Sequence, residues 1–232
     1  MLSLKLGLSL NTTKQALWFP TDESSLENWY RKGTGIQTVD GLVNVSAWQD
    51  YSENEFWVGQ TNAAERPTFD KGVITFDGSD NLQMGNGTEP SFQTSLTGDY
   101  TIGVRLKPTG TVSNYAVLGD NTTAGHFIKL SDDDTIFVKS GGTVKGISIT
   151  DGSKFTDGGY FILTRDSSNF TLFWNGVQQS QVAAVAGTQL IDTIGGRFID
   201  TEDYVGDISE VQIYSSTSAA LTANINARLS TL

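Results

Sequence analysis

The chain has no cysteine in 232 residues. Disulfides and thiolate metal sites are therefore excluded, and burial alone must hold the fold, which a chain of this length permits. It has one histidine, His126. One histidine without cysteine cannot build a histidine-based zinc site. A Ser-His-Asp arrangement on a nucleophile elbow would need Gly-x-Ser-x-Gly, which does not occur. His126, in Gly125-His126-Phe127-Ile128, reads instead as a residue at a strand entrance. Basic residues are few: 15 Lys and Arg stand against 26 Asp and Glu, a net charge of −11. That excess disfavours nucleic acid and anionic membrane surfaces, because phosphate recognition needs clustered cations. The acidic residues are scattered, so they serve solubility. No run of about 18 apolar residues offers a membrane span. The first residues show no basic n-region and no small-residue cleavage site. The expectation is a soluble protein made in a cytoplasm.

Glycine and aromatics are present instead: 25 Gly, 12 Phe, 7 Tyr and 5 Trp beside only four Pro. Such a composition suits many short strands, tight turns and a core filled by large rings. The most informative stretch is residues 160–182. Tyr160–Thr164 and Phe170–Trp174 flank a polar break at Asp166–Asn169, and Asn175-Gly176 follows at once. Asn-Gly tolerates positive φ at both central positions of a type I′ turn. Three consecutive antiparallel strands are predicted. Phe170, Leu172 and Trp174 share one face of the middle strand, and Thr171 and Phe173 share the other. Large apolar groups on both faces place this strand inside, between two layers.

Residues 1–10, MLSLKLGLSL, put Leu2, Leu4, Leu6, Leu8 and Leu10 on one face, a strict period of two. This segment is either an edge strand of the chain's own sheet or an arm that packs on another subunit. Residues 16–60 read as irregular. They carry Trp18, Trp29, Trp48 and Trp57, which act either as plugs pinning loops to a sandwich or as sugar-stacking platforms. Ser24-Ser25-Leu26-Glu27 reads as one helical turn capped by Ser24, and Val43–Trp48 as a strand. Further strands are predicted across Phe69–Met84, with an Asp-Gly turn, and at Tyr100–Leu106, Tyr115–Gly119, His126–Leu130, Thr135–Val138, Val144–Ile149, Ile191–Gly196 and Val205–Tyr214. Turns recur every 8–12 residues, the spacing of a sandwich or barrel. Ser218 then caps a short helix with Leu221, Ile225 and Leu229 on one side. The fold class read is all-β, a two-sheet antiparallel β-sandwich with a short C-terminal helix and an N-terminal extended arm. The divisions are 1–15 for the arm and 16–232 for the domain.

Arg66-Pro67-Thr68-Phe69, Phe76-Asp77-Gly78-Ser79-Asp80, Tyr100–Pro108, Phe161–Gly176 and Gly206–Tyr214 follow one another in that order before a short helix. This succession resembles the laminin-G-like, concanavalin A-like lectin/glucanase superfamily over residues 40–229. The resemblance implies a jelly roll. The leucine-alternating segment joined to such a domain is also similar to virion proteins of tailed phages of marine bacteria, cyanophages especially.

Glucanases of that superfamily carry Glu-x-Asp-x-x-Glu on one strand, which this chain lacks. Its nearest acidic strand is Asp207-Ile208-Ser209-Glu210. Spacing by three puts Asp207 and Glu210 on opposite faces unless a bulge intervenes. No catalytic residue is assigned and the chain is read as non-enzymatic. The resemblance makes calcium a candidate ligand, with Asp77 and Asp80, Asp132–Asp134 and Asp207 as candidate carboxylates. Asp and Gly are also ordinary turn formers, and Ser209 stands where many relatives are acidic. No metal or cofactor is assigned. Five Asn-x-Ser/Thr sequons, at Asn11, Asn44, Asn86, Asn121 and Asn169, are what this composition gives by chance.

Two functions follow as expectations. One is a virion structural or decoration protein of a tailed phage, displayed on the particle as a homo-oligomer. Its partners would be other virion proteins of the capsid or tail, and its arm would attach it or join subunits. The other is a carbohydrate-binding module for host surface glycans, with calcium as a candidate aid. Neither uses nucleic acid or membrane.

Overall fold

The computed structural model describes residues 17–39, 43–85, 92–132, 134–197 and 202–232. Among them, in chain order, are β1 (Leu26–Tyr30), β2 (Ile36–Val39), β3 (Asn44–Trp48), β4 (Val58–Gly59), β5 (Thr68–Asp70), β6 (Val73–Asp77), β7 (Leu82–Met84), β8 (Thr94–Thr97) and β9 (Tyr100–Pro108). They continue with β10 (Tyr115–Gly119), β11 (Phe127–Leu130), β12 (Thr135–Ser140), β13 (Thr143–Ser148), β14 (Gly159–Arg165), β15 (Asn169–Trp174) and β16 (Val177–Ala183). The last are β17 (Thr188–Ile191), β18 (Thr193–Ile194), β19 (Val205–Tyr214) and the helix α1 (Ala219–Leu229). The expected N-terminal arm, residues 1–15, lies outside the described residues.

The predicted meander is present as β14, β15 and β16. Leu163 faces Leu172 across the first pair and Trp174 faces Val177 across the second. Asn175 and Gly176 have φ of +48° and +82°, as an Asn-Gly type I′ turn requires. Strands β1, β19, β9, β14, β15 and β16 lie side by side. So do β2, β3, β4, β7, β18, β10, β11, β12 and β13. The β5–β6 hairpin joins the two groups: β5 bridges β3 at Asn44 and Thr68, and β6 pairs with the first half of β19. Hydrogen bonding is therefore continuous through 17 strands, and β8–β17 form a separate two-stranded ribbon. The sequence reading had two sheets; the observed ladder instead wraps into a nearly closed sandwich.

Side chains from both groups meet in one core. Phe170, Leu172, Trp174, Ile208, Val211 and Ile213 come from the first, and Trp48, Leu118, Ile128, Ile136 and Ile194 from the second. Trp174 is fully buried, edge-on to Phe155 at 5.2 Å between ring centres. The opposite face of β15 contributes Phe173 to a second cluster with Tyr160, Ile162, Tyr214, Leu221, Ile225 and Leu229. The middle strand does lie between two layers, and the outer layer is α1.

The helix sits close because of one glycine. A Cβ on Gly103 would lie 2.7 Å from Ile225 Cγ2 and 3.2 Å from Leu229 Cδ1. Ser218 caps α1 by accepting from the Leu221 N–H at 3.0 Å. Burial of Leu221, Ile225 and Leu229 contributes about 1.5–3 kcal/mol each before ordering entropy is subtracted. An ion pair completes the attachment. Glu210 of β19, fully buried, accepts from Arg228 Nη2 at 2.9 Å and from Arg228 Nε. It also accepts from Trp29 Nε1 at 3.0 Å and Gln212 Nε2 at 2.7 Å.

Three expectations are corrected here. Residues 24–27 do not make a helical turn; the short 3₁₀ turn is Pro20–Asp22, where proline presets φ, and Leu26 already begins β1. Residues 16–60 are not irregular as a whole, since β1 to β4 lie there. Residues 191–196 do not form one strand. Asp192 interrupts them, accepting from the Asn121 N–H and Thr193 Oγ1, each at 2.7 Å.

Candidate functional site

One buried carboxylate organises the loop between β3 and β4. Asp50 is 1% exposed. Its oxygens accept from the backbone N–H groups of Trp29 at 2.7 Å, Ser52 at 2.9 Å and Phe56 at 3.1 Å. They also accept from Ser52 Oγ at 2.7 Å and Asn28 Nδ2 at 3.1 Å. A carboxylate surrounded by donors is satisfied without a cation. Tyr30 adds a further tie, its hydroxyl donating to the Phe56 carbonyl at 2.6 Å. Burial, with the Asp50 charge beside it, pushes the Tyr30 phenol well above its ordinary value.

The loop held this way is a ridge between two open clefts. On one side a cleft of about 330 Å³ is lined by Asn54, Glu55, Phe56, Trp57, Gly85 and Phe92. Phe56 and Phe92 meet at 5.3 Å between ring centres, and Phe92 is 51% exposed. Glu55 sits at φ +53°, a left-handed conformation that costs a non-glycine residue energy and turns the chain sharply into Trp57. Asn54 is anchored through Nδ2, which donates to the Glu27 carbonyl at 2.9 Å. On the other side a cleft of about 430 Å³ is lined by residues that include Glu23, Tyr51, Ser52, Glu53 and Glu55. Among the described residues neither lining contains Lys or Arg. Such surfaces offer flat apolar rings, amides and carboxylates to a ligand, and repel an anion.

The tryptophans divide as the two sequence readings allowed. Trp29 and Trp48 are buried plugs at 3% and 0% exposure. Trp18 is half-buried against the α1 cluster. Trp57 is half-buried in the wall of the aromatic cleft. The sequence named Trp57 without marking it out from the others. Asp50 lies just beyond the predicted Val43–Trp48 strand, and nothing in its sequence neighbours shows that five donors converge on it.

Among the described residues the candidate calcium carboxylates do not gather at one site; Asp77 and Asp80 share a turn, while Asp132, Asp134 and Asp207 are engaged elsewhere. Asp77 accepts from the Ser79 N–H at 2.9 Å and Ser79 Oγ at 2.7 Å, an Asx turn. Asp80 accepts from the Asp77 N–H at 3.0 Å. Burial, with the Asp77 and Glu65 charges nearby, pushes the Asp80 carboxyl up to about 6. Asp132 accepts from Ser131 Oγ at 3.1 Å, Asp133 lies outside the described residues, and Asp134 is paired with Lys154. Asp207 accepts from Thr75 Oγ1 at 2.7 Å. Among the described residues no three His, Asp or Glu side chains converge as metal ligands. Of the sequons, Asn11 and Asn86 lie outside the described residues.

Asp207 and Glu210 were expected on opposite faces, and this is corrected. The β19–β9 register shifts between Ile208 and Glu210. Ile208 and Val211 both point into the core. Ser209 and Glu210 together occupy the space of one pleat step, so Asp207 and Glu210 both face outward. Glu210 is nevertheless fully buried and engaged by Arg228, Trp29 and Gln212. His126 lies beside β11, its Nδ1 accepting from the Gly141 N–H at 3.4 Å. Burial holds its pKa below the usual imidazole value.

A family model described as the concanavalin A-like lectin/glucanases superfamily matches residues 76–224. The chain belongs to that superfamily. Solved structures repeat the architecture at low identity. Domain 4 of AbnA, an extracellular arabinanase of family GH43 from Geobacillus stearothermophilus solved with arabinotriose, has a TM-score of 0.55 and 12% identity. That match covers 88% of this chain and 98% of the domain. Trypanosoma rangeli sialidase has a TM-score of 0.58 and 11% identity, over 91% of this chain. The chain spans only about a third of the sialidase, 33% of its length. At such identities the shared property is the fold. No curated protein matches the chain by sequence. Among the described residues no helix is long and apolar enough to cross a membrane.

Proposed function

We propose that this chain is a non-catalytic glycan-binding module, a jelly roll of two layers within its wrapped ladder, that takes a neutral sugar in the cleft beside Trp57. The observation that carries this reading is an open aromatic cleft on a loop preset by the buried Asp50 carboxylate. A partly exposed indole matches the C–H face of a pyranose, while Asn54 and Glu55 offer groups for its hydroxyls. The carboxylates and the lack of cations in both clefts set the preference for uncharged sugars. An arabinanase domain of the same fold, solved with arabinotriose, supports a sugar ligand for such an architecture. The test is a neutral-glycan array followed by calorimetry with the best ligand. Trp57→Ala should weaken binding tenfold or more, the scale of losing one aromatic anchor. Silence of the native chain across the array, or unchanged affinity in the variant, would remove this reading.

For its setting we propose the particle of a tailed phage, where a homo-oligomer of this chain is displayed among other virion proteins. Support comes from the leucine-alternating segment of residues 2–10 and from the resemblance it carries. Mass spectrometry of purified particles tests this directly, and absence of the chain from them would reject it.

A further inference from the structure

The ridge between the two clefts carries an aromatic ring on each flank. Trp57 lines the cleft of about 330 Å³. Tyr51, partly exposed, lines the cleft of about 430 Å³ on the other side. The pose of Tyr51 is set by Gly35. That glycine has φ +70°, and a Cβ on it would lie 2.9 Å from Tyr51 Cε2 and 3.1 Å from the Tyr51 hydroxyl. The ring therefore rests on bare backbone, in a conformation that favours glycine. It also meets the buried Trp29 ring edge-on, at 6.0 Å between centres. The Tyr51 N–H donates to the Trp29 carbonyl at 2.8 Å. A ring supported in this way keeps its remaining surface for the cleft.

Asp50 fixes the distance between the flanks. It accepts from the Ser52 N–H in the wall of the Tyr51 cleft and from the Phe56 N–H in the wall of the Trp57 cleft. The Phe56 contact is 3.1 Å, so standard bond lengths keep the Cα atoms of Tyr51 and Trp57 within about 16 Å of each other. Between them Glu53, Asn54 and Glu55 are exposed, and Glu55 lines both clefts. These side chains set carboxylate and amide groups between the two rings, where sugar hydroxyls would lie. A site for one terminal sugar is a blind pocket, whereas these clefts are open and share a crest. Resting on the reading that the Trp57 cleft takes a neutral sugar, we infer that the ligand is a linear chain of neutral sugars laid over the Glu55 crest, with one unit on Trp57 and a later unit on Tyr51. Two anchors held at a fixed spacing before binding act as linked sites, so the second contact costs little further ordering.

The test is calorimetry of the full chain with linear cello-, xylo-, manno- and arabino-oligosaccharides of one to six units. Affinity should rise tenfold or more between the disaccharide and the hexasaccharide of the series that binds. A long chain also gains by offering more registers to a single cleft, but that gain does not depend on Tyr51. Tyr51→Ala should therefore remove most of the rise and leave disaccharide affinity unchanged, while Trp57→Ala weakens every length. Glu53→Ala alters an exposed side chain of the Tyr51 cleft only, and should lower hexasaccharide affinity without touching the disaccharide. It decides the matter if Tyr51→Ala fails to fold by circular dichroism. Trp57-dependent binding that is equally tight at two and six units, or a rise that survives in both Tyr51→Ala and Glu53→Ala, would overturn the inference and leave the Trp57 reading standing. No binding at any length in any series would remove both.

Discussion

Replacing Asp50 separates its two roles, in stability and in shaping the cleft. Asp50→Ala removes the acceptor of three backbone N–H groups, those of Trp29, Ser52 and Phe56. The Ser52 hydroxyl keeps a second acceptor in the Glu27 carbonyl at 2.8 Å, but the backbone donors and the buried Asn28 amide have none to turn to. A hydrogen bond to a charged group contributes about 1.5–3 kcal/mol, and an orphaned buried donor costs about 1–3 kcal/mol. The loop borders two open clefts, so water will enter and recover part of this. Loss of a buried network of this size should cost about 3–5 kcal/mol. Asp50→Asn keeps the shape and one oxygen but turns an amide toward donors, and should cost about 1–3 kcal/mol. Guanidinium unfolding followed by far-UV circular dichroism gives the numbers. The midpoint should fall with an unchanged slope, because the area exposed on unfolding is the same. In Asp50→Asn, sugar affinity should fall further than the still-folded fraction explains, since Phe56 and Trp57 lose their anchor. An Asp50→Ala chain within 1 kcal/mol of native stability that still binds would refute the argument that this carboxylate sets the loop.

Three further outcomes follow from the same geometry. Glu210→Ala leaves Arg228 and the Trp29 indole N–H without their acceptor and should cost about 3–5 kcal/mol, while Glu210→Met/Arg228→Leu should lie near native stability; denaturant titration compares them. Gly103→Ala puts a methyl 2.7 Å from Ile225 Cγ2 and should cost about 1–3 kcal/mol, and with Ile225→Ala the pair should cost less than the sum in a double-mutant cycle. Asp80 has its folded pKa raised to about 6, above the unfolded value, so the folded state binds the extra proton. Its contribution falls as pH rises through the window from about 4 to 6, and above it the buried charge costs at most about 3 kcal/mol. Asp80→Asn, which keeps an acceptor for the Asp77 N–H, should stabilise the protein at pH 7 and flatten that part of the stability–pH curve measured by thermal unfolding.

Legibility of the fold followed the strength of local signals. Tyr115–Gly119, Val205–Tyr214 and the Asn175-Gly176 turn were placed correctly, because alternation and turn chemistry agree there. The helix was legible from Ser218 and the spacing of Leu221, Ile225 and Leu229. By contrast, β1 was missed. Leu26-Glu27-Asn28-Trp29-Tyr30 shows no alternation, since Asn28 and Trp29 are held by Asp50 and Glu210 rather than by a simple inside and outside. Sequence period cannot report a polar residue whose partner is about 20 or 180 positions away. The cleft was only half legible for the same reason. Trp57 was visible as a loop tryptophan, but its distinction from Trp29 and Trp48 depends on packing alone.

The β19 bulge shows how one residue of register changes chemistry. Without it Glu210 would point into the apolar core, where an unpaired carboxylate would be driven to neutrality. With it, Glu210 joins Asp207 on the outer face, the alternation that an acid–base pair on one strand would use. The helix then decides the outcome. Arg228 reaches down over Trp29, 4.8 Å from the ring centre, and fills the space above Glu210. Arg228 holds the charge, and the Trp29 and Gln212 donors occupy the remaining lone pairs. A general acid or base needs a proton it can exchange and a substrate atom within about 3 Å. Glu210 is fully buried while α1 is docked and its oxygens are engaged by Arg228, Trp29 and Gln212, so the carboxylate serves as the anchor of the helix. Removing α1 by truncation after Ser216 would expose Glu210 and strip the Phe173 face of β15. The expected result is loss of the folded state rather than gain of hydrolytic activity, read by circular dichroism alongside release of reducing sugar from neutral polysaccharides. A truncated chain that stays folded would show that the core alone carries the fold and that the outer cluster is dispensable.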